Sequence, residues 1–129
     1  CLQYTLPGAP SLYYGDEAGM EGYKDPFNRR TYPWGKEDRE LLAHHKLLGQ
    51  LRKEYAALRL GNTKFREASG GRICFTRSWE GSSIRVCVNL SRENWVVPGG
   101  KLLLGRRGYS VNQANITLEP MGICIAEEL

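Results

Sequence analysis

At Gly61 the spacing of apolar residues changes period, and that change limits what layers the chain can build. Before it, Leu41, His45, Leu48, Leu51, Tyr55 and Leu58 recur at three- and four-residue steps, which places them on one stripe of an α-helix. The pattern predicts a long helix over Glu37–Leu60, closed by Gly61 in a left-handed cap. After it, Ile84, Val86, Val88 and Leu90 alternate with Arg85, Cys87 and Asn89, and Met121, Ile123 and Ile125 alternate again. Period two is the signature of a strand. Further strands are expected at Thr63–Glu67, Arg72–Ser78, Asn94–Val97, Lys101–Leu104, Tyr109–Asn112 and Asn115–Leu118, divided by turn material such as Ser69-Gly70-Gly71, Glu80-Gly81-Ser82 and Pro98-Gly99-Gly100. Short strands so closely spaced make a small antiparallel β-sandwich, and a mainly β fold. A unit of roughly 70 residues buries little by itself, so the sandwich must lean on the helical stripe.

The first residues read differently. Leu2 to Leu6 fits the end of a helix that Pro7-Gly8 breaks. Pro10 to Tyr14 is short, apolar and aromatic, and Gly15 stops it; this is how a strand buried on both faces reads, and it requires a parallel sheet that the rest of the chain does not contain. Without neighbours the run is expected to pack on the helix or sandwich, or to pair with another copy, so that the chain self-associates. The chain opens on Cys1 with no initiator Met and no secretory series, and is expected to be a piece of a longer protein.

Composition narrows the partners. Eighteen basic residues stand against 14 acidic ones, for a net charge of +4. They are scattered, apart from Arg29-Arg30 and Arg106-Arg107, so no nucleic-acid stripe forms. No apolar run approaches the ~20 residues of a membrane helix. Cys1, Cys74, Cys87 and Cys124 show no CxxC spacing, and the last three sit in Ile-Cys-Phe, Val-Cys-Val and Ile-Cys-Ile. They read as small buried hydrophobes in strands rather than as metal ligands or a disulfide framework, which favours a reducing, cytoplasmic location. No cofactor is implied.

The stretch LPGAPSLYYGDEAGMEGYKDPFNRRTYPWG combines several independent features: PGxPxxYYGDE, then DPxxR, then PW. It resembles the last barrel strand and following loop of the α-amylase superfamily, glycoside hydrolase family 13, and most resembles the neopullulanase and cyclomaltodextrinase branch. LLGQLRKEYAALRLG resembles the helix that follows, and the remainder resembles in pattern the small C-terminal β-sandwich of those enzymes. The resemblance implies two parts: residues 1–61 as the remnant of a (β/α)8 barrel, and residues 62–129 as the sandwich. The orphan strand would be the eighth of the barrel, its loop on the C-terminal face where such barrels carry their sites. The missing sheet would be the upstream barrel, this chain's first partner. The implied activity is retaining hydrolysis of α-glucosidic bonds in an α-glucan or maltodextrin, by carboxylates on earlier strands. The chain itself would then hold no catalytic residue and be inactive alone.

The carboxylates that are present agree with that. Asp16 and Glu17 are adjacent at a strand end, so their side chains diverge, whereas a retaining pair faces one sugar from two sides about 5 Å apart; a role in bracing the loop is expected. Asp25 and Arg29 stand in the DPxxR register, and the resemblance implies that they contact the second glucose on the non-reducing side of the cleaved bond. Their chemistry suits vicinal hydroxyls: a carboxylate accepts, a guanidinium fork donates, and each holds the other. The plainer alternative is a loop ion pair. His44 and His45 are helix neighbours that cannot share one metal, and are expected to pack. Trp34 is expected to pack where the loop meets the helix. Trp79 and Trp95 could offer sugar-stacking faces, but their strand patterns favour the core. The rival to a hydrolase fragment is a non-catalytic module for carbohydrate binding or subunit contact, and the sequence upstream of Cys1 separates the two.

Overall fold

In the computed structural model, residues 1–112 and 114–128 are described. Three helical segments come first: α1 (Leu2–Thr5), α2 (Arg39–Glu54) and α3 (Ala56–Leu60), with a 3-10 turn at Asp16–Ala18 between α1 and α2. Eight strands follow: β1 (Asn62–Ser69), β2 (Arg72–Trp79), β3 (Ser82–Asn89), β4 (Trp95–Pro98), β5 (Lys101–Arg106), β6 (Tyr109–Val111), β7 (Asn115–Leu118) and β8 (Ile123–Glu127). They form a five-stranded sheet, β1-β2-β3-β8-β5, and a three-stranded sheet, β4-β7-β6. Every ladder is antiparallel. The fold is the small β-sandwich expected, preceded by the helix.

The expected helix over Glu37–Leu60 is shorter and broken. It starts after Asp38, whose side chain accepts the Leu41 amide at 2.9 Å and thereby satisfies one of the unpaired first-turn donors. Glu40 in the first turn and Arg52 and Lys53 in the last complement the helix dipole. At Tyr55 the backbone turns extended, φ −97°, ψ 105°, before α3 resumes. Gly61 is not a left-handed cap: its φ is −67° and ψ 150°. Glycine is needed there for a different reason. A Cβ would lie 2.3 Å from the Ala57 carbonyl oxygen and 2.9 Å from that of Ser78, because the chain passes directly against β2 as it enters the sheet.

The large sheet is buried on both faces, which makes three layers. On one face Phe75, Ile84, Val86, Leu104 and Ile125 pack against Tyr4, Leu48, Leu51, Ala57 and Leu58 of the helices. On the other, Cys74, Cys87, Cys124 and Ala126 pack against Val97, Ile116 and Leu118 of the small sheet. The polar alternates of β3 therefore do not reach water. Arg85 binds the carbonyls of Pro98 and Gly99 and pairs with Glu128 at 3.1 Å. Asn89, fully buried, donates to the carbonyls of Glu93, Leu118 and Glu119 and accepts from the amide and hydroxyl of Ser91.

Two arginines tie the helical segments to the large sheet. Arg77, buried on β2, donates to Thr5 O at 2.6 Å and to Gly61 O at 2.9 Å. Arg52 on α2 donates to Tyr4 O at 2.8 Å, to Leu58 O at 2.7 Å and to Gly8 O. Burial and the charge of Arg52 both lower the Arg77 pKa.

Three expectations fail. Pro10–Tyr14 forms no strand, and Leu12, Tyr13 and Tyr14 are 41%, 54% and 43% exposed, because a doubly buried strand has no partners among the described residues. Trp34 does not pack at the loop–helix junction: it is 82% exposed, with the Tyr32 ring 4.6 Å away. Trp79 is partly exposed at the end of β2, whereas Trp95, half-buried on β4, packs against the inter-sheet core as its strand pattern predicts; the two indoles belong to different sheets and form no shared platform. Trp95 instead lies under the Arg72 guanidinium at 5.9 Å. The histidines pack as expected on α2: His45 Nδ1 meets Tyr4 OH at 3.0 Å, and His44 Nδ1 is enclosed without a partner. No described helix is long and apolar enough to cross a membrane.

Candidate functional site

The polar loop between α1 and α2 is built by its own carboxylates and turns. Asp16 accepts the Tyr13 amide at 3.2 Å and Glu17 accepts the Gly15 amide at 3.0 Å, so both brace the start of the loop. Gly15 has φ 92°, and a Cβ there would lie 2.3 Å from the Met20 sulfur; only glycine lets the loop fold back. Farther on, Tyr14 OH donates to Arg30 O at 2.8 Å, and the Arg30 guanidinium reaches Glu21 O. These bonds pull residue 30 back toward the first turn and leave 22–29 as a projecting lobe.

Asp25 and Arg29 lie on that lobe. Two turns shape it: the Phe27 amide donates to Lys24 O at 2.9 Å, and the Arg29 amide to Pro26 O at 3.0 Å. Arg29 Nε meets Asp25 Oδ1 at 2.8 Å, and Nη2 meets Oδ2 at 3.5 Å. The pair is a fork on a fork, with side chains 60% and 69% exposed for Asp25 and Arg29. Each oriented by the other, carboxylate and guanidinium present acceptors and donors outward, which is what a vicinal diol needs. Arranged this way they can bind and orient a diol, each already held by the other.

Sequence reasoning brings Asp25 and Arg29 together correctly as a pair and misses their neighbour Asn28. Its amide oxygen is enclosed with no partner, and it lines a 100 Å³ cleft with Tyr13, Tyr14, Asp16 and Met20. The signal was weak: an Asn inside a charged loop reads as turn material. Tyr23 and Phe27 are the other prominent exposed groups of the lobe. Among the described residues no group of His, Cys, Asp or Glu is placed to hold a metal ion.

No family profile matches the chain. It is 47% identical over 76 residues to an amylopullulanase of Thermoanaerobacter thermohydrosulfuricus, covering 59% of this chain and 5% of the relative. To a cyclomaltodextrinase of Geobacillus thermopakistaniensis it is 36% identical over 101 residues, 75% of this chain and 17% of the relative. A solved debranching enzyme from Nostoc punctiforme superposes with a TM-score of 0.82 at 30% identity, over 96% of this chain and 29% of that one. The chain thus spans less than a third of the length of each of these relatives. Sharing its sequence with the first two and its backbone path with the third, the chain belongs to the α-amylase superfamily, glycoside hydrolase family 13, among relatives of the amylopullulanase and cyclomaltodextrinase kind.

Proposed function

We propose that the chain is the C-terminal part of an α-glucan-acting glycoside hydrolase, with residues 1–61 completing a catalytic barrel and residues 62–129 forming the sandwich that supports it. The carboxylates that protonate the leaving oxygen and attack the sugar lie in the upstream barrel, the chain's principal partner, and this chain alone is inactive. Its contribution to the site is the Asp25–Arg29 pair, which holds the second glucose on the non-reducing side of the cleaved bond. The observation that carries this reading is the pair itself, mutually oriented at 2.8 Å and open to solvent, on a chain whose relatives are named for amylopullulanase and cyclomaltodextrinase activity. The exposed Leu12, Tyr13 and Tyr14 supply apolar surface for the barrel to cover, and four free thiols suit a reducing, cytoplasmic setting.

The test uses the full-length protein, with the reading frame extended upstream of Cys1. It should release reducing sugar from maltodextrin or pullulan. Arg29→Ala and Asp25→Asn should each lower kcat/KM on maltotriose about 10- to 100-fold, the loss of one charge-assisted contact worth roughly 1.5–3 kcal/mol, and barely affect an aryl glucoside too short to reach the lobe. Since the pair is exposed, melting should hardly change. Equal losses on both substrates would mean a disordered loop, and no loss on either would reduce the pair to a surface ion bridge.

A further inference from the structure

Cys74, Cys87 and Cys124 stand abreast on β2, β3 and β8, with Cys87 opposite Cys74 in one ladder and opposite Cys124 in the next. All three are free thiols buried between the two sheets. The two ladders are not equivalent. In β2–β3 the two-residue turn Glu80-Gly81 sets Trp79 opposite Ser82, and at the far end the Leu90 amide donates to Gly71 O at 2.7 Å. Counting inward from either end by the two-residue alternation of an antiparallel pair puts Cys74 and Cys87 at a non-hydrogen-bonded position, where facing side chains come closest. In β3–β8 the Glu128 amide donates to Ser83 O at 2.8 Å and the Asn89 amide to Gly122 O at 2.9 Å. The same count puts Cys87 and Cys124 at a hydrogen-bonded position, where the strands are wider apart. The sulfurs agree: Cys87 Sγ donates to Cys74 Sγ at 3.1 Å.

We propose that Cys74 and Cys87 form an oxidisable dithiol, a modification site at which a low-molecular-weight disulfide converts the facing thiols into a cross-strand disulfide while Cys124 remains a thiol. Cys74 reacts first, since it alone of the three keeps measurable exposure, 5% against none for Cys87 and Cys124. The hydrogen bond from Cys87, and the nearby Arg85 charge, also draw its pKa down against burial, whereas hydrogen bonding with the Cys124 and Cys74 sulfurs and burial push the Cys87 pKa up. The Cys74 thiolate attacks one sulfur of the reagent and displaces the other as a thiolate. Cys87, deprotonated, then attacks the Cys74 sulfur of the mixed disulfide and displaces the second. One S–S bond breaks and one forms; the two protons leave with the two released thiols. The product ties β2 to β3 in their existing register, and a reducing compartment keeps the pair open.

The experiment uses the chain with Cys1→Ser, which removes the half-exposed fourth thiol. Reduced protein is incubated with oxidised glutathione under native conditions, unfolded, alkylated with iodoacetamide, digested and weighed. One alkylated cysteine, Cys124, and a peptide joining Cys74 to Cys87 are expected. Cys124→Ser should leave that link in place, and Cys87→Ala should abolish it. If Cys87→Ala does not fold, Cys74→Ala reads the same loss at the less buried position. Three alkylated cysteines, a Cys87–Cys124 link, or glutathione retained on Cys74 without transfer would each overturn the proposal.

Discussion

Replacing Asn89 tests whether the two sheets are joined by a polar knot or only by apolar contact. Its amide nitrogen reaches Glu93 O at 2.8 Å, Leu118 O at 2.9 Å and Glu119 O at 3.1 Å, and its oxygen takes the Ser91 amide at 3.1 Å and hydroxyl at 2.7 Å. Two hydrogens serve three carbonyls, so one is shared and the side chain makes about four bonds' worth of contact. At about 1 kcal/mol each Asn89→Ala removes about 4 kcal/mol, and water can restore part of it at the exposed Ser91–Glu93 turn. A loss of about 3 kcal/mol is the expectation, a large share of the ~5–15 kcal/mol by which a domain is stable. Asn89→Asp sharpens the test because it keeps size and shape but turns an oxygen toward three carbonyl oxygens. It should be worse than alanine at pH 7. The new carboxyl's folded pKa is raised above the unfolded value, so its penalty should fade in acid and grow as pH rises through the raised value. Urea unfolding of the three proteins at pH 4 and pH 7 reads both effects. A loss under about 1 kcal/mol for Asn89→Ala, or an Asn89→Asp protein as stable as the parent at neutral pH, would refute the reasoning.

Two further outcomes can be read by the same method. Gly61→Ala should cost about 1–3 kcal/mol by overpacking, since its Cβ would meet the Ala57 and Ser78 carbonyl oxygens at 2.3 and 2.9 Å; Gly81→Ala, at φ 83° with open space around it, should show only the left-handed penalty of about 1 kcal/mol, and equal costs would remove the close-approach argument. His44 is held to a pKa of about 4 by burial first, with the charges of Arg106 and His45 adding to it. Its folded pKa lies below its unfolded one, so the contribution is complete above pH 6.5 and is lost as pH falls toward 4. After discounting for partial exposure the loss should be about 1–2 kcal/mol. A urea midpoint that falls as much between pH 7 and pH 5 in His44→Gln as in the parent would exclude His44 as the cause.

Strands were legible because period two survives even where both faces are buried. Along β3, Ile84, Val86 and Val88 face the helices, and the alternation marks them. What the alternation could not say is that Arg85 and Asn89 meet a second sheet rather than water, since a polar residue satisfied by backbone carbonyls looks like a surface residue in sequence. Gly61 was correctly read as punctuation and wrongly explained: a glycine required by a neighbour 78 residues into the chain leaves the same letter as one required by its own φ. The Pro10–Tyr14 run reads as a strand because composition records the surroundings a segment is adapted to, and those surroundings are not among the described residues. At the site, the DPxxR register of the family resemblance points to Asp25 and Arg29, and the complementarity of carboxylate and guanidinium supports the pairing. Asn28 escaped because enclosure of its oxygen depends on how residues 13–20 fold back over it.

The two arginine clamps grip main chain and not side chains. Arg77 holds the carbonyls of Thr5 and Gly61, and Arg52 those of Tyr4, Gly8 and Leu58. A carbonyl is the same group whatever residue carries it. Positions 4, 5 and 58 can therefore change identity, within what packing allows, without loosening the attachment, whereas Gly8 is fixed by its φ of 96°, so the segment that leads into the polar loop can vary while its anchorage is set by two residues elsewhere. Loop diversification and loop placement are thereby separated: the first is written locally, the second in Arg52 and Arg77.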